Sequence, residues 1–280
     1  MKTPEQLKGA LRNMADSKGI RSDVLLQIFL FERIIERLSK SKYVNQFVLK
    51  GGLLISSIIG VEKRTTIDMD TTVRGLPINE EYLMTVLNEI LIIQVDDGIL
   101  FSLQSMKPIR EKDVYENFCA TIIADYGKIH ATLKIDITTG DAITPAEILY
   151  DYPFMFDDMT VKVMAYPLET IIAEKLETVL SRNIATTRAR DLYDLITLYN
   201  LKKFDINLAY LKDAIRKTAN KRGSTAYLNQ IQDVYDLMKD DSGQMKMWIQ
   251  YQKANSFAKD ISYNQALMSI LAIGEMAELI

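Results

Sequence analysis

In the run Thr66-Ile67-Asp68-Met69-Asp70-Thr71-Thr72-Val73, two carboxylates stand two residues apart. A strand turns alternate side chains to one face, so this spacing predicts Thr66, Asp68, Asp70 and Thr72 on one side and Ile67, Met69 and Val73 on the other. Like charges that close repel, and the arrangement is costly unless a cation or basic group sits between them. A divalent metal ion held by such a pair is the chemistry of phosphate transfer, although a solvated edge strand produces the same pattern.

A second strand, predicted over 129–138, repeats the design. His130, Thr132, Lys134 and Asp136 share one face, and Ile129, Ala131, Leu133, Ile135 and Ile137 share the other. Clean alternation means that one face is core and the other open. Paired beside the first strand, it would bring Asp136 to Asp68 and Asp70. Three carboxylates suit two ions roughly 3.5–4 Å apart that orient a triphosphate and stabilise its leaving pyrophosphate. Asp136 reads equally well as a salt-bridged surface residue, and Asp125 and Asp141 are neighbouring alternatives for a third acid.

Upstream, Phe47-Val48-Leu49-Lys50-Gly51-Gly52-Leu53-Leu54-Ile55 reads as a buried strand, a glycine pair and a helix. Such a turn exposes backbone N–H groups at a helix start, where an anion is favoured and glycine permits close approach. Lys50, Gly51 and Gly52 are therefore candidate phosphate contacts. The same letters also describe a plain turn.

Farther on, Lys175 falls on the apolar stripe of Leu168, Ile171, Ile172 and Val179, where a lysine is unexpected. A buried ammonium needs an anion, which is either a nucleotide phosphate or an internal carboxylate, Asp191 or Asp194. Arg188 and Arg190 open the following helix, where a positive charge opposes the dipole and a phosphate or RNA partner would explain them. Solvated surface arginines are the alternative.

The rest of the chain narrows the chemistry. His130 is the single histidine and Cys119 the single cysteine, which removes His-rich metal sites, cysteine-zinc clusters, most Ser-His-Asp arrangements and internal disulfides. Carboxylates, lysines and arginines remain, a set that suits magnesium. Net charge is -3, so any nucleic-acid surface must be a local patch. No stretch reaches the ~18 consecutive apolar residues of a membrane span. A cytoplasmic, unprocessed protein is expected.

The elements that must position these residues divide in two. Helices are predicted in the first forty residues, the second over 22–38. The next segment, 47–165, alternates short β-rich runs with helices near 53–59 and 79–93, an α+β core with a mixed sheet. From Pro167 helical patterns dominate. The expected domains are 1–165 and 166–280, the latter α-helical, abutting at a cleft.

In order, strand, Gly-Gly, helix, Asp-x-Asp strand and later single-Asp strand resemble the polymerase-beta-like nucleotidyltransferase fold. More narrowly, Phe47 to Gly52 followed by Arg64-Thr65-Thr66-Ile67-Asp68-Met69-Asp70 looks like the AbiEii-type toxins of abortive-infection and type IV toxin–antitoxin systems. Glu174-Lys175-Leu176-Glu177 before Arg188-Ala189-Arg190-Asp191-Leu192-Tyr193-Asp194-Leu195 extends the match. The fold's usual serine after the first glycine is replaced by Gly52, so one hydroxyl contact to phosphate is missing. The resemblance implies a magnesium-dependent nucleotidyltransferase, with Asp68, Asp70 and Asp136 on the metal and Lys175 and Asp191 in the catalytic set. It further implies GTP or another ribonucleotide as donor, an RNA acceptor such as tRNA, growth arrest, and a separately encoded antitoxin. Transfer to a small molecule or protein hydroxyl, or a silent binding module, are the other readings.

Overall fold

A computed structural model describes residues 3–77, 79–109 and 117–280. It comprises two compact units, Met1–Gly140 with Ile148–Ala165, and Asp141–Glu147 with Tyr166–Ile280.

The first unit begins with α1 (Pro4–Lys18), started by a Thr3–Gln6 capping box and ended by Gly19 in the left-handed region. Next comes α2 (Ser22–Ser39), whose apolar stripe is buried. After β1 (Phe47–Lys50) and α3 (Gly51–Ile59) come β2 (Met69–Val73) and α4 (Glu80–Leu91), the last capped by Asn79. Four further strands follow: β3 (Leu100–Pro108), β4 (Phe118–Tyr126), β5 (Ile129–Thr139) and β6 (Ile148–Pro153). β7 (Thr160–Ala165) completes a sheet ordered β3-β4-β5-β2-β1-β7-β6. β2 runs parallel to β5 and β1 to β7; the remaining neighbours are antiparallel.

Strand parity explains which face is buried. On β5, Leu133, Ile135 and Ile137 are buried while His130, Thr132 and Lys134 are exposed. Helix α2 packs against β5 and β7, α4 against β3, and α3 against β1 and β2. Within this core Arg37 is held by Asp97 through two bonds of 2.6 and 2.8 Å.

Two local differences from the sequence reading have clear causes. The strand at Asp70 starts at Met69 rather than Thr66, because the Thr66 hydroxyl bonds the backbone of Asp68 and takes these groups out of the ladder. The strand β6 was not expected: its side chains are mostly exposed, so Ile-Leu-Tyr-Asp-Tyr-Pro shows no alternation, and Pro153 is tolerated at its end.

The second unit is helical: α5 (Leu168–Arg182), α6 (Ala189–Lys202), α7 (Leu208–Arg222), α8 (Ile231–Lys239), α9 (Ser242–Ala254) and α10 (Tyr263–Met276). Helix α5 packs on α6 and α7, and α10 on α6 and α8. Trp248 is a core residue whose indole donates to Ile261 O at 3.0 Å, so its ring is spent on packing. Among the described residues no helix is long and apolar enough to cross a membrane.

Candidate active site

The first unit assembles one cluster from β1, β2, β5 and the start of α3. Residues paired across neighbouring strands turn their side chains to the same face. Asp70 is the partner of Asp136 on one side and of Lys50 on the other, and Asp136 in turn partners Cys119. A row Lys50, Asp70, Asp136, Cys119 therefore crosses four strands. Two residues along, the hydroxyls of Thr72 and Thr138 meet at 2.8 Å and continue the polar face.

Asp68 sits just before β2 and contributes its charge to the same face. The Cys119 thiol shows this: burial pushes it up to about 11, the bond to Asp136 and that carboxylate's charge add to the rise, and Asp68 adds further. Both aspartates thus act on one thiol.

The glycine turn is fitted to this row. Gly51 has φ 67°, and a Cβ there would lie 2.0 Å from Asp70 Oδ2. Any side chain would displace the carboxylate, so the position demands glycine for backbone and for space. At Gly52 a Cβ would come within 2.9 Å of the Thr66 hydroxyl and 3.3 Å of the Arg64 guanidinium. Helix α3 has no side-chain cap and no acid in its first turn, which suits its leading N–H groups to an anion. Lys50 precedes them in extended conformation and is buried.

These residues fit a magnesium ion. Their donors are carboxylate oxygens, and the Cβ-free space at Gly51 leaves Asp70 accessible beside a phosphate-favouring helix start. Magnesium takes one or two carboxylates and completes its shell with phosphate and water. Among the described residues no three Asp, Glu, His or Cys side chains form a group able to hold an ion.

A different arrangement surrounds Lys175 in the second unit. Its ammonium lies 2.6 Å from Asp191 and 2.9 Å from Asp194, both almost fully buried on α6. Arg188, the residue before α6, places Nε 2.9 Å from the other oxygen of Asp191 as an ion pair, without hydrogen-bond alignment. Asp191 and Asp194 lie one helical turn apart and so face the same neighbour, α5. Arg190 is exposed. Nearby, Arg222 binds Glu174 at 2.9 Å and Glu177 at 2.6 Å.

The alternative third acids are engaged elsewhere. Asp125 binds His130 Nδ1 at 2.7 Å, and Asp141 accepts from Tyr166 at 2.8 Å. Arg64 and Cys119 are the site neighbours that sequence reasoning did not single out. A buried arginine two residues before Thr66 carries no periodic signal, and Cys119 is recognisable only once β4 is paired with β5.

A family model for the nucleotidyl transferase AbiEii toxin of type IV toxin–antitoxin systems matches residues 33–269. No curated protein sequence matches the chain significantly. Among solved structures the chain is similar to MenT4, a nucleotidyltransferase toxin of Mycobacterium tuberculosis H37Rv: TM-score 0.58, 13% identity, covering 96% of this chain and 98% of that one. JHP933 from Helicobacter pylori gives TM-score 0.54, 19% identity and 92% coverage of each chain. At these identities the likeness establishes the fold, and the family model, spanning most of the sequence, establishes the kinship. Nucleotidyltransferases of this fold typically use divalent metals, and the toxin–antitoxin setting brings a nucleotide substrate and a cognate antitoxin. The chain belongs to the AbiEii family of nucleotidyltransferase toxins.

Proposed function

We propose that this toxin transfers a nucleotidyl group, with magnesium, from GTP or another ribonucleoside triphosphate to a hydroxyl of RNA, tRNA being the family precedent, and thereby arrests growth until its antitoxin intervenes. The observation that carries the reading is the Asp70–Asp136 register packed directly against Gly51. It sets two carboxylates beside backbone N–H groups able to receive a triphosphate.

In this reading Asp70 and Asp136 would hold the ion with phosphate and water completing its shell, Asp68 would add charge on the same face, and the ion when bound would neutralise phosphate charge and favour departure of pyrophosphate. Asp136 also accepts the proton of the acceptor hydroxyl. The N–H groups at Gly51 and Gly52 hold phosphate oxygens, and the Lys50 ammonium supplies positive charge beside them. For the second unit, Lys175 offers its ammonium to phosphate, with Asp191 and Asp194 fixing its position, and Arg188 and Arg190 are further phosphate contacts. The protein is expected to act in the cytoplasm.

Incubation with each labelled nucleoside triphosphate, magnesium and total tRNA tests this. Label in RNA supports the reading. Label on a small molecule or protein replaces the acceptor, and no turnover with any acceptor overturns it.

A further inference from the structure

The polar row does not end at Cys119. Lys107 of β3 is paired with Cys119, so the row runs Lys50, Asp70, Asp136, Cys119, Lys107 across five neighbouring strands. Beside it the same face of β3, β4 and β5 stays open. Lys134 and Thr132 precede Asp136 at two-residue steps on β5, Thr121 faces Lys134 from β4, and Ser105 faces Thr121 from β3. Lys107, Thr132 and Lys134 are exposed, while the alternate residues Met106, Ala120, Leu133 and Ile135 are buried on the other face.

The two lysines differ from other exposed lysines of the first unit. Lys18, Lys42 and Lys162 pair with Glu62, Glu89 and Asp151. Lys107 and Lys134 form no ion pair among the described residues, although Lys134 is close enough for its charge to act on the Cys119 thiol. Each is thus a cation beside the carboxylate row that the row does not neutralise. At ~4.8 Å between strands and ~3.4 Å per residue, their Cα atoms lie roughly 12 Å apart. Several phosphates of a stacked strand, at ~3.4 Å each, fill that span.

The direction of the reaction selects the occupant. Attacking and leaving oxygens lie roughly in line on either side of the transferred phosphorus. The glycine turn, with its N–H groups, is at the β1 end of the row, so pyrophosphate departs there and the acceptor hydroxyl enters from the β4 and β3 end.

We propose that the open face of β3, β4 and β5 is the track of the RNA acceptor, with Lys107 and Lys134 on backbone phosphates that flank the reactive hydroxyl. The proposal rests on the nucleotidyl-transfer reading for its direction. Between the lysines, the hydroxyls of Ser105, Thr121 and Thr132 are donors for phosphate and ribose oxygens, contacts that position a strand without reading its bases.

Filter binding of total tRNA to the full chain, without nucleoside triphosphate and between about 50 and 200 mM salt, tests the track. The double variant Lys107→Gln, Lys134→Gln is expected to bind about tenfold more weakly at the lowest salt. Its slope of log K against log salt should fall by about 1.5, at 0.7–0.9 per phosphate contact. Lys42→Gln, an exposed lysine off this face, should change neither. Absence of tRNA binding by the wild type, or wild-type affinity and slope in the double variant, overturns the proposal. In transfer assays the double variant should raise KM for tRNA about tenfold and leave KM for the nucleoside triphosphate unchanged. A rise confined to the nucleotide would assign the lysines to the donor and equally overturn the track. Binding that depends on both lysines without any transfer would keep the track and sink the reaction; transfer with unaltered tRNA affinity and KM would sink the track alone. Both substitutions are at exposed positions, and circular dichroism verifies the fold.

Discussion

The protein contains two groups of close aspartates, and they solve the problem of charge differently. In the first unit Asp70 and Asp136 stand side by side on adjacent strands, half-buried, with Asp68 acting on the same face. In the second, Asp191 and Asp194 are buried, and Lys175 bonds both while Arg188 flanks the first. The first cluster stays half-exposed beside Lys50, whereas the second is buried and closed by its own ion pairs. Half-exposed carboxylates can take a ligand from outside the chain, whereas buried paired charge supports the structure so long as every partner stays. Loss of a residue should therefore harm activity in the first cluster and stability in the second.

The sharpest test removes one member of each. Asp70→Ala is expected to lower nucleotidyl transfer by at least ~1000-fold, since a metal-holding carboxylate acts on the reacting phosphate itself. Its thermal midpoint should change little, because the carboxylate is only half-buried. Full activity in that variant would sink the metal assignment. Gly51→Ala breaks the same cluster sterically: its Cβ must displace Asp70, so transfer should fall by two orders of magnitude or more while the helices persist in circular dichroism.

Lys175→Met should do the reverse of Asp70→Ala. Stripped of its cation, the buried pair Asp191 and Asp194 is expected to cost about 3–5 kcal/mol in chemical denaturation. The neutral triple variant Lys175→Met, Asp191→Asn, Asp194→Asn restores packing without charge. If it recovers stability and not transfer, Lys175 acts on phosphate; recovery of both would make the cluster purely structural.

Glu32 extends the contrast to a buried carboxyl without a bonded cation. Burial raises its pKa from 4.5 to about 8, so the folded chain keeps a proton that the unfolded chain releases. The contribution is complete below about pH 4.5 and is lost as pH rises toward 8, a decline of a few kcal/mol at ~1.4 kcal/mol per pKa unit. Urea titrations across that window should show the fall in the wild type and not in Glu32→Gln. A flat wild-type profile would mean that a cation already compensates Glu32.

How much of this was legible beforehand depended on whether the determinant was local. The alternation of β5, the apolar spacing of the helix over 22–38 and the lysine on an apolar stripe are short-range patterns, and they placed most helices, most strands and the candidate residues. Register is not short-range. That Asp70 meets Asp136 and Lys50, and that Cys119 joins the row, follows from which strands pair, and Thr66 left the strand because a hydroxyl captured the backbone. Sequence left phosphate, Asp191 and Asp194 open as the anion for Lys175; the packing of α5 on α6 supplies both carboxylates.

The smallest expected effect concerns Arg190. It shares the start of α6 with Arg188, yet Arg188 is tied to Asp191 whereas Arg190 projects outward and is exposed. A cation in the first turn of a helix opposes the dipole, so removing it should leave stability within about 0.5 kcal/mol or raise it marginally. If the side chain contacts phosphate of an RNA acceptor, Arg190→Ala should weaken transfer several-fold through KM, and the deficit should shrink as salt screens the contact. Arg190→Lys should recover part of it. A KM unchanged at low salt would leave Arg190 as surface charge and confine the second unit's phosphate chemistry to Lys175 and Arg188.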